Sequence, residues 1–503
     1  MNRKAETTKQ QLTISSMPDL KFRKPVPVNI ELKNRNPGID PQFVIFKEAN
    51  ILDSTGKEPY VGDVLIDGER FAQVGGEVDP AQYPEDNTLV VNAKGKTLMS
   101  GLCDSHTHLT WNDAPTLNGL CDLPNEEHMI HTVVSAKCYL DHGFTMCFGA
   151  ASAKKRLDVA CRDFIQAGKI PGPRYLANGP EISTTGGAII PGITLFADGP
   201  DEMRKVVRDL MTIGVDNIKL SMTGDYVHPT MGSTETYFTQ EEVDVAVEEA
   251  HRHGKRVAAH ARAADSVVMC CKAGVDVIYH ASYCDDEGMK LLEQQKDRIF
   301  VAPAINFPLL STTSAAGYGL TPEMAKKRGL VHEVEAASKA MNAMYKKGIR
   351  VLPGGDYGFA WAPHGTYARD IDHFVRLFGY TPMDAILAAT ALGGEIMGHP
   401  EELGKVQPGY YADCILVDTP DVLADVRVLQ DTTKIHGIFI NGHKHKLSET
   451  PAPSYNPAEV TQKNGVKEPN ESSNGHANGV NGAHKGTSDV ANDSQARLEK
   501  EMP

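Results

Sequence analysis

Residues 239–281 read TQEEVDVAVEEAHRHGKRVAAHARAADSVVMCCKAGVDVIYHA. The first sixteen of them alternate apolar and charged positions as an amphipathic helix does and stop at a glycine, a frequent helix terminator. RVAAHA follows as a short apolar run, a second helical stretch carries Cys270 and Cys271, and VDVIYHA repeats the apolar run. Apolar strands separated by amphipathic helices predict a parallel sheet whose faces are covered by those helices.

The same alternation extends in both directions. Candidate strands are TLMSGLCDSHTH (97–108), TMCFGA (145–150), RYLANG (174–179), NIKLSM (217–222), RVAAHA (256–261), VDVIYHA (275–281), IFVAPAI (299–305) and RVLPGGD (350–356). Helical stretches such as EEHMIHTVVSAKCYLDHG, PDEMRKVVRDLMTIG and HEVEAASKAMNAMYKKG lie between them. Eight such units over about 300 residues favour a closed (β/α)8 barrel, the TIM-barrel architecture, over an open sheet. An open sheet would also tend to show a Gly-rich phosphate fingerprint after its first strand, and none is present. The barrel is assigned to residues 99–403.

Two β-rich stretches flank that region. Residues 43–98 contain FVIFKEANIL, VGDVLIDGERFAQVGG and NTLVVNAKG; residues 404–447 contain YADCILVD and KIHGIFINGHKHKL. Together they predict one small β-sandwich domain built from both ends of the chain. Residues 1–42 read as a polar extension. Residues 450–503, rich in Asn, Gly, Ser and Ala, cannot bury enough apolar surface to offset their ordering entropy and read as a disordered tail. His476 and His484 in that tail are therefore poor candidates for a site.

The chain has 503 residues, 41% hydrophobic and 23% charged, and a net charge of −14. That balance suits a soluble globular protein and argues against a nucleic-acid partner, which needs clustered Lys and Arg. The start MNRKAETTKQQLT has no apolar core of a secretory signal, and no stretch approaches the ~18 apolar residues of a membrane span. Nine cysteines without regular spacing give no disulfide framework, so a reducing, cytoplasmic location is expected.

In barrels of this kind, chemistry gathers at the C-terminal ends of the strands. Strand one ends in Asp104, Ser105, His106, Thr107 and His108, where His106 and His108 share a face at i and i+2. Strand four carries Lys219, strand five His260, strand six His280, and strand eight Asp356. Each alone has an ordinary structural reading. Six residues of metal-binding type at equivalent places on five of eight strands point instead to one axial pocket. His251 and His253 spell the same pair at a helix end, where i and i+2 diverge, and are expected to be exposed; His443 and His445 are expected on a solvent face of the β-domain. Imidazole and carboxylate ligands suit Zn²⁺ and its neighbours, and the set suffices for two divalent ions if something bridges them. A neutral lysine amine can take up CO₂ as a carbamate, and Lys219 lies where that bridge is needed.

These motifs (DSHTH, NIKLSM, AAHA, IYHAS and GGD, in that order) resemble the amidohydrolase superfamily, specifically binuclear members with a carboxylated lysine, and among them ochratoxinase-like and prolidase-like carboxypeptidases. The resemblance spans about residues 43–447. It implies that His106, His108 and Asp356 hold one metal, that His260 and His280 hold the other, and that carboxylated Lys219 bridges them. It further implies amide hydrolysis of a small molecule, N-acyl amino acid or short peptide by a metal-bridging hydroxide, with Asp356 as general base and then general acid. A homo-oligomer is implied as well.

Loop residues Tyr226, His228, Arg262, Tyr283 and His364, with Trp361 nearby, are candidates for substrate contact. Arg262 reads either as a bidentate carboxylate ligand or as an ion-pair partner of Asp265 or Asp285. Deamination, decarboxylation or lactam hydrolysis on the same scaffold is the alternative activity. A deaminase of this type usually lacks the bridging lysine. A non-catalytic scaffold relative would be expected to have lost ligands, and all six positions are intact.

Overall fold

The computed structural model describes residues 26, 28–36 and 38–447. The expected tail at 450–503 lies outside the described residues. Strands β1 (Phe43–Leu52), β2 (Tyr60–Asp67), β3 (Arg70–Val74), β4 (Thr88–Asn92) and β5 (Thr97–Ser100) come from the front of the chain. Strands β6 (Leu102–Thr107), β7 (Phe144–Gly149), β8 (Arg174–Leu176), β9 (Glu181–Ser183), β10 (Thr194–Phe196) and β11 (Asn217–Ser221) follow. Then come β12 (Arg256–Ala261), β13 (Val277–His280), β14 (Phe300–Ala302) and β15 (Arg350–Val351). The end of the chain supplies β16 (Cys414–Val417), β17 (Ile435–Ile440) and β18 (His443–Lys444).

Each of the eight stretches expected as barrel strands contains one. They form two parallel sheets, ordered β6-β7-β8 and β10-β9-β11-β12-β13-β14-β15, giving a TIM-barrel-like fold. At one junction the Ser105 amide donates to the Pro353 carbonyl at 3.0 Å; at the other the Asn217 amide donates to the Ala177 carbonyl at 3.2 Å. Every residue of β11, β12 and β13 is buried, as expected of strands covered on both faces. Strands β9 and β10 were not anticipated; they are three residues each, too short to show a period.

The helix Gln240–Arg252 shows how the covering layer is set. Thr239 accepts from the Glu242 amide and the Glu242 side chain reaches back to the Thr239 amide, a reciprocal cap. Val243, Ala246, Val247 and Ala250 face the core, and Gly254, at φ +70°, turns the chain into β12.

The sheet domain is one eight-stranded sheet, ordered β18-β17-β16-β5-β1-β2-β3 with β4 also on β1. Strand β5 from the front of the chain pairs with β16 from the back, Met99 opposite Ile415, so the two ends close on each other. Val44, Phe46, Ile51, Leu98, Leu416 and Phe439 fill its core.

Three expectations are corrected here. Part of the polar N-terminal extension is ordered against the barrel: Ile30 and Leu32 are buried, and the Lys33 amide donates to the Gln166 carbonyl at 2.9 Å. His251 is half-buried, its Nε2 2.8 Å from Asp276 Oδ2; only His253 of that pair is exposed. His445 is buried with Nε2 2.6 Å from Asp141, and His443 lies half-buried on Asp40. The last two histidines face the barrel helices and the N-terminal stretch, contacts that a strand period cannot reveal.

Candidate metal centre

The strand ends bring together the six residues singled out in the sequence. His106, His108, Lys219, His260, His280 and Asp356 are all buried. One ligand atom each from His106, His280 and Asp356 lies within 4.8 Å of the others. Asp356 Oδ1 is 3.0 Å from His108 Nε2 and 3.8 Å from His106 Nε2. The rings of His260 and His280 are 4.5 Å apart, and those of His106 and His280 5.2 Å.

The two imidazoles of β6 and its end are held from behind. His108 Nδ1 lies 3.0 Å from the Ala151 carbonyl, and a proton on that nitrogen leaves Nε2 as a lone pair facing Asp356. Its ring stacks on Trp111 at 3.4 Å and 6°. His106 stacks on Tyr279 at 3.9 Å, and its amide donates to Asp104 Oδ1 at 2.8 Å. The Lys219 amine sits 4.5 Å from the centre of the same Tyr279 ring.

His280 and Asp356 occupy the left-handed region, at φ +71° and +61°. Non-glycine residues there cost of order 1–3 kcal/mol each, a strain that concentrates at functional sites. Burial pushes all four histidines below their ordinary pKa, holding them neutral, the form in which imidazole binds a cation. Burial also lowers Lys219 to about 8, with Glu181 and Asp356 opposing. Asp104 is raised to about 7, again by burial.

Several of these buried atoms have no hydrogen-bond partner among the described residues: His106 Nδ1, both ring nitrogens of His280, and Asp356 Oδ1. Buried polar atoms are nearly always satisfied, so a cluster of unsatisfied donor atoms on neutral imidazoles and a carboxylate fits a bound cation. The donor set is that of a first-row divalent ion.

A cavity of ≈ 440 Å³, its open mouth included, reaches this cluster. It is lined by His106, His108, Lys219, His260 and Asp356, and by residues not expected from the sequence, among them Trp111, Glu181 and Asp225. Trp111 stands three residues beyond His108. Glu181 lies on the unanticipated β9 and is buried, with Thr194 Oγ1 3.3 Å from Oε1. Asp225 sits in the loop GDYVHP, beside the two residues that were chosen from it.

The five candidate substrate contacts lie outside the lining of this cavity. Tyr226, His228 and Tyr283 are half-buried on the surrounding loops. Arg262 is 1% exposed and its ion pairs go to Asp225, at 2.6 Å, and to Glu333, not to Asp265 or Asp285. Those two aspartates are engaged elsewhere, Asp265 with Thr236 and Asp285 as a helix cap. His364 stands behind the metal cluster, with Nε2 2.9 Å from the Trp111 carbonyl and Nδ1 3.1 Å from the Tyr367 hydroxyl.

The profile of the amidohydrolase family matches residues 97–444. The chain is 27% identical over 456 residues to ochratoxinase of Aspergillus niger, covering 84% of this chain and 92% of that one. It is 23% identical to D-aminoacylase of Alcaligenes xylosoxydans xylosoxydans, over 80% of this chain and 94% of the relative. Among solved structures it superposes on a Xaa-Pro dipeptidase with bound methionine at a TM-score of 0.71 and 24% identity, covering 80% of this chain and 100% of the other.

Proposed function

The chain belongs to the amidohydrolase family, and on that premise we propose that it is a binuclear metal-dependent enzyme whose two ions, zinc in the native protein, share a carboxylated Lys219. It is a hydrolytic enzyme acting on amide-type C–N bonds. The observation that carries the metal reading is the convergence of buried, hydrogen-bond-deficient donor atoms, neutral imidazoles from β6 and β13 and the Asp356 carboxylate beyond β15, on one point. His106, His108 and Asp356 would hold one ion, His260 and His280 the other. Bound divalent ions would supply an activated water and polarise the scissile carbonyl.

The protein's own groups do the rest. Asp356 is the carboxylate facing the cavity beside both histidines of β6. It would take the proton from the attacking water at Oδ1 and return it to the leaving nitrogen, without which the amine departs poorly. Tyr279, stacked under His106 and beneath the Lys219 amine, fixes both from below. Desolvation favours the uncharged Lys219 amine, the form that combines with CO₂. Tyr226, His228 and Tyr283 are the loop residues proposed to meet substrate at the mouth, while Arg262 and His364 act through Asp225 and Trp111.

The finer architecture follows the same reading. The two parallel sheets are proposed to close as a (β/α)8 barrel over about residues 99–403, hydrogen bonds from Ser105 to Pro353 and between Ala177 and Asp216–Asn217 spanning the junctions. The sheet of residues 43–98 and 404–447 is proposed to fold into a sandwich, since β1 bends at Glu48 (φ +53°) and pairs with β4 before the bend and β5 after it. All nine cysteines are free thiols, which supports a cytoplasmic location over a disulfide-stapled secreted form; a homo-oligomer is proposed on the family resemblance alone. No helix among the described residues is long and apolar enough to cross a membrane.

The test is direct. Metal-loaded protein is incubated with amino-acid amides, N-acyl amino acids and lactams, and the products are identified by mass. Acid plus amine (ammonia from a primary amide, the ring-opened amino acid from a lactam), with about two ions bound per chain, is expected; ammonia lost with every acyl bond intact, or CO₂, would replace amide hydrolysis with deamination or decarboxylation.

A further inference from the structure

The cavity that reaches the metal cluster is polar at that end and apolar over most of the remainder, where Trp111, Ile189, Ile190, Ile193, Phe307 and Phe359 form its wall. Lys219 is the sole Lys or Arg among the lining residues, and it belongs to the cluster. Besides Asp356, two acidic side chains line it: Glu181, within the field of Lys219, and Asp225, in the loop after β11.

Asp225 is not neutralised one for one. Arg262 Nη2 lies 2.6 Å from Asp225 Oδ2, but the other arm of the same guanidinium holds Glu333, which is fully buried. Two carboxylates share one guanidinium, so Asp225 has no cation of its own. Ser233 and Ser282 donate to Glu333 at 2.8 and 2.9 Å, and the Val227 amide donates to Asp225 Oδ1 at 2.9 Å. These neutral donors hold the carboxylates in place without cancelling the charge. Arg328, the next cation along, spends Nη1 on the Val227 carbonyl at 2.9 Å and does not line the cavity.

In an N-acyl amino acid or a dipeptide, the free carboxylate stands two bonds beyond the scissile nitrogen. It must therefore enter the same cavity as the carbonyl. Here it would lose water against an apolar wall and, away from the ions, meet Asp225 with no lining Lys or Arg to pair it, an unfavourable position on both counts. An uncharged group meets no such cost. Trp111 adds a complementary donor: the residue lines the cavity, and its Nε1 is buried without a hydrogen-bond partner among the described residues, so it suits a neutral acceptor such as a carbonyl or ether oxygen.

We propose that the enzyme selects uncharged N-acyl amines with bulky apolar groups over amides that carry a free carboxylate, and that Asp225, backed by Arg262 and Glu333, enforces the choice. This rests on the amide-hydrolase reading and narrows its substrates. The matched probes are N-benzoyl-phenethylamine and N-benzoyl-L-phenylalanine, which differ only in the carboxylate. With metal-loaded enzyme, kcat/KM is expected to favour the uncharged compound at least about tenfold, a difference of roughly 1.4 kcal/mol. Asp225→Asn should shrink the ratio several-fold. Glu333→Gln removes the same charge from outside the cavity, keeps both serine contacts, and should shrink it too.

Affinity of both compounds is measured by calorimetry on the same preparations, so the preference is read whether or not turnover follows. Tighter binding of the uncharged compound without cleavage of either would sink the hydrolase reading and leave the selectivity standing. Cleavage of the acid as fast as the amine, equal affinities, a ratio unmoved in both variants, or no binding of either compound at millimolar concentration would overturn the selectivity.

Discussion

Lys219 is a cation buried where a cation is costly, beside Tyr279 and within the field of Glu181 and Asp356. Its amine titrates at about 8, so the neutral fraction rises with pH through that value. Carbamate formation needs the neutral amine. At fixed dissolved CO₂, reactivation of metal-free protein by zinc should therefore quicken about tenfold from roughly pH 7 to 9 and then level off; a rate that falls with pH would refute the carbamate. Lys219→Ala should lose bound metal and activity together, and a fully active, metal-replete variant would dispose of the bridge. Asp356→Asn removes the proton acceptor but keeps the shape. Turnover should drop on the order of 10²–10⁴-fold while the circular dichroism spectrum is retained, and wild-type turnover would exclude the proton-transfer role. These six residues were legible in the sequence because a strand end fixes where a side chain points. Trp111, Glu181 and Asp225 were not: each reaches the cavity through loop or short-strand geometry set by tertiary contacts. The fate of Arg262 depended on Glu333, a partner seventy-one residues away.

At the scale of elements, the eight strands were readable because each lies in an apolar-rich stretch next to amphipathic helices, whereas β9, β10 and the buried segment at Ile30 sit among Gly, Pro, Thr and Asn that read as loop. The motif GGD shows what a readable pattern still concealed. Aspartate was expected to act, but the glycines before it control how closely two strand ends approach. A Cβ on Gly354 would lie 2.6 Å from the His106 amide nitrogen and 2.9 Å from the His106 Cβ. The chain just beyond β15 thus rests directly on the backbone of β6 at His106, a proposed ligand. Gly354→Ala must push the two apart, at a cost of about 1–3 kcal/mol for overpacking. Because His106 is what moves, metal occupancy should fall well before the fold does. The check is metal content against thermal unfolding: full occupancy with normal activity would mean that the strands accommodate the methyl group without moving the ligand.

At the scale of the whole molecule, three regions meet at one buried charge. Arg174, at the start of β8, is fully buried; its Nε donates to Asp413 Oδ2 at 2.7 Å and its Nη2 to Asp413 Oδ1 at 3.1 Å. Nη2 also reaches Asn441 Oδ1 at 3.0 Å, and Nη1 donates to the Ile30 carbonyl. Tyr411 lies over the guanidinium at 4.2 Å, with Arg70 at 3.9 Å from the same ring. One side chain of the barrel therefore anchors the sheet domain through Asp413 and Asn441 and the N-terminal stretch through Ile30. Removing one member of a buried pair strands the other, which typically costs about 3–5 kcal/mol, whereas replacing both with apolar groups costs far less. Arg174→Met should thus lower the unfolding temperature sharply. Asp413→Leu should do the same, and the double variant should recover much of the loss, a non-additivity that marks direct coupling. The metal cluster lies at the opposite, C-terminal ends of the strands, so metal content of the folded protein should be preserved in all three variants. If Arg174→Met unfolds at the wild-type temperature, the joint between barrel and sheet domain is carried by their apolar contact, and the buried arginine merely fills space there.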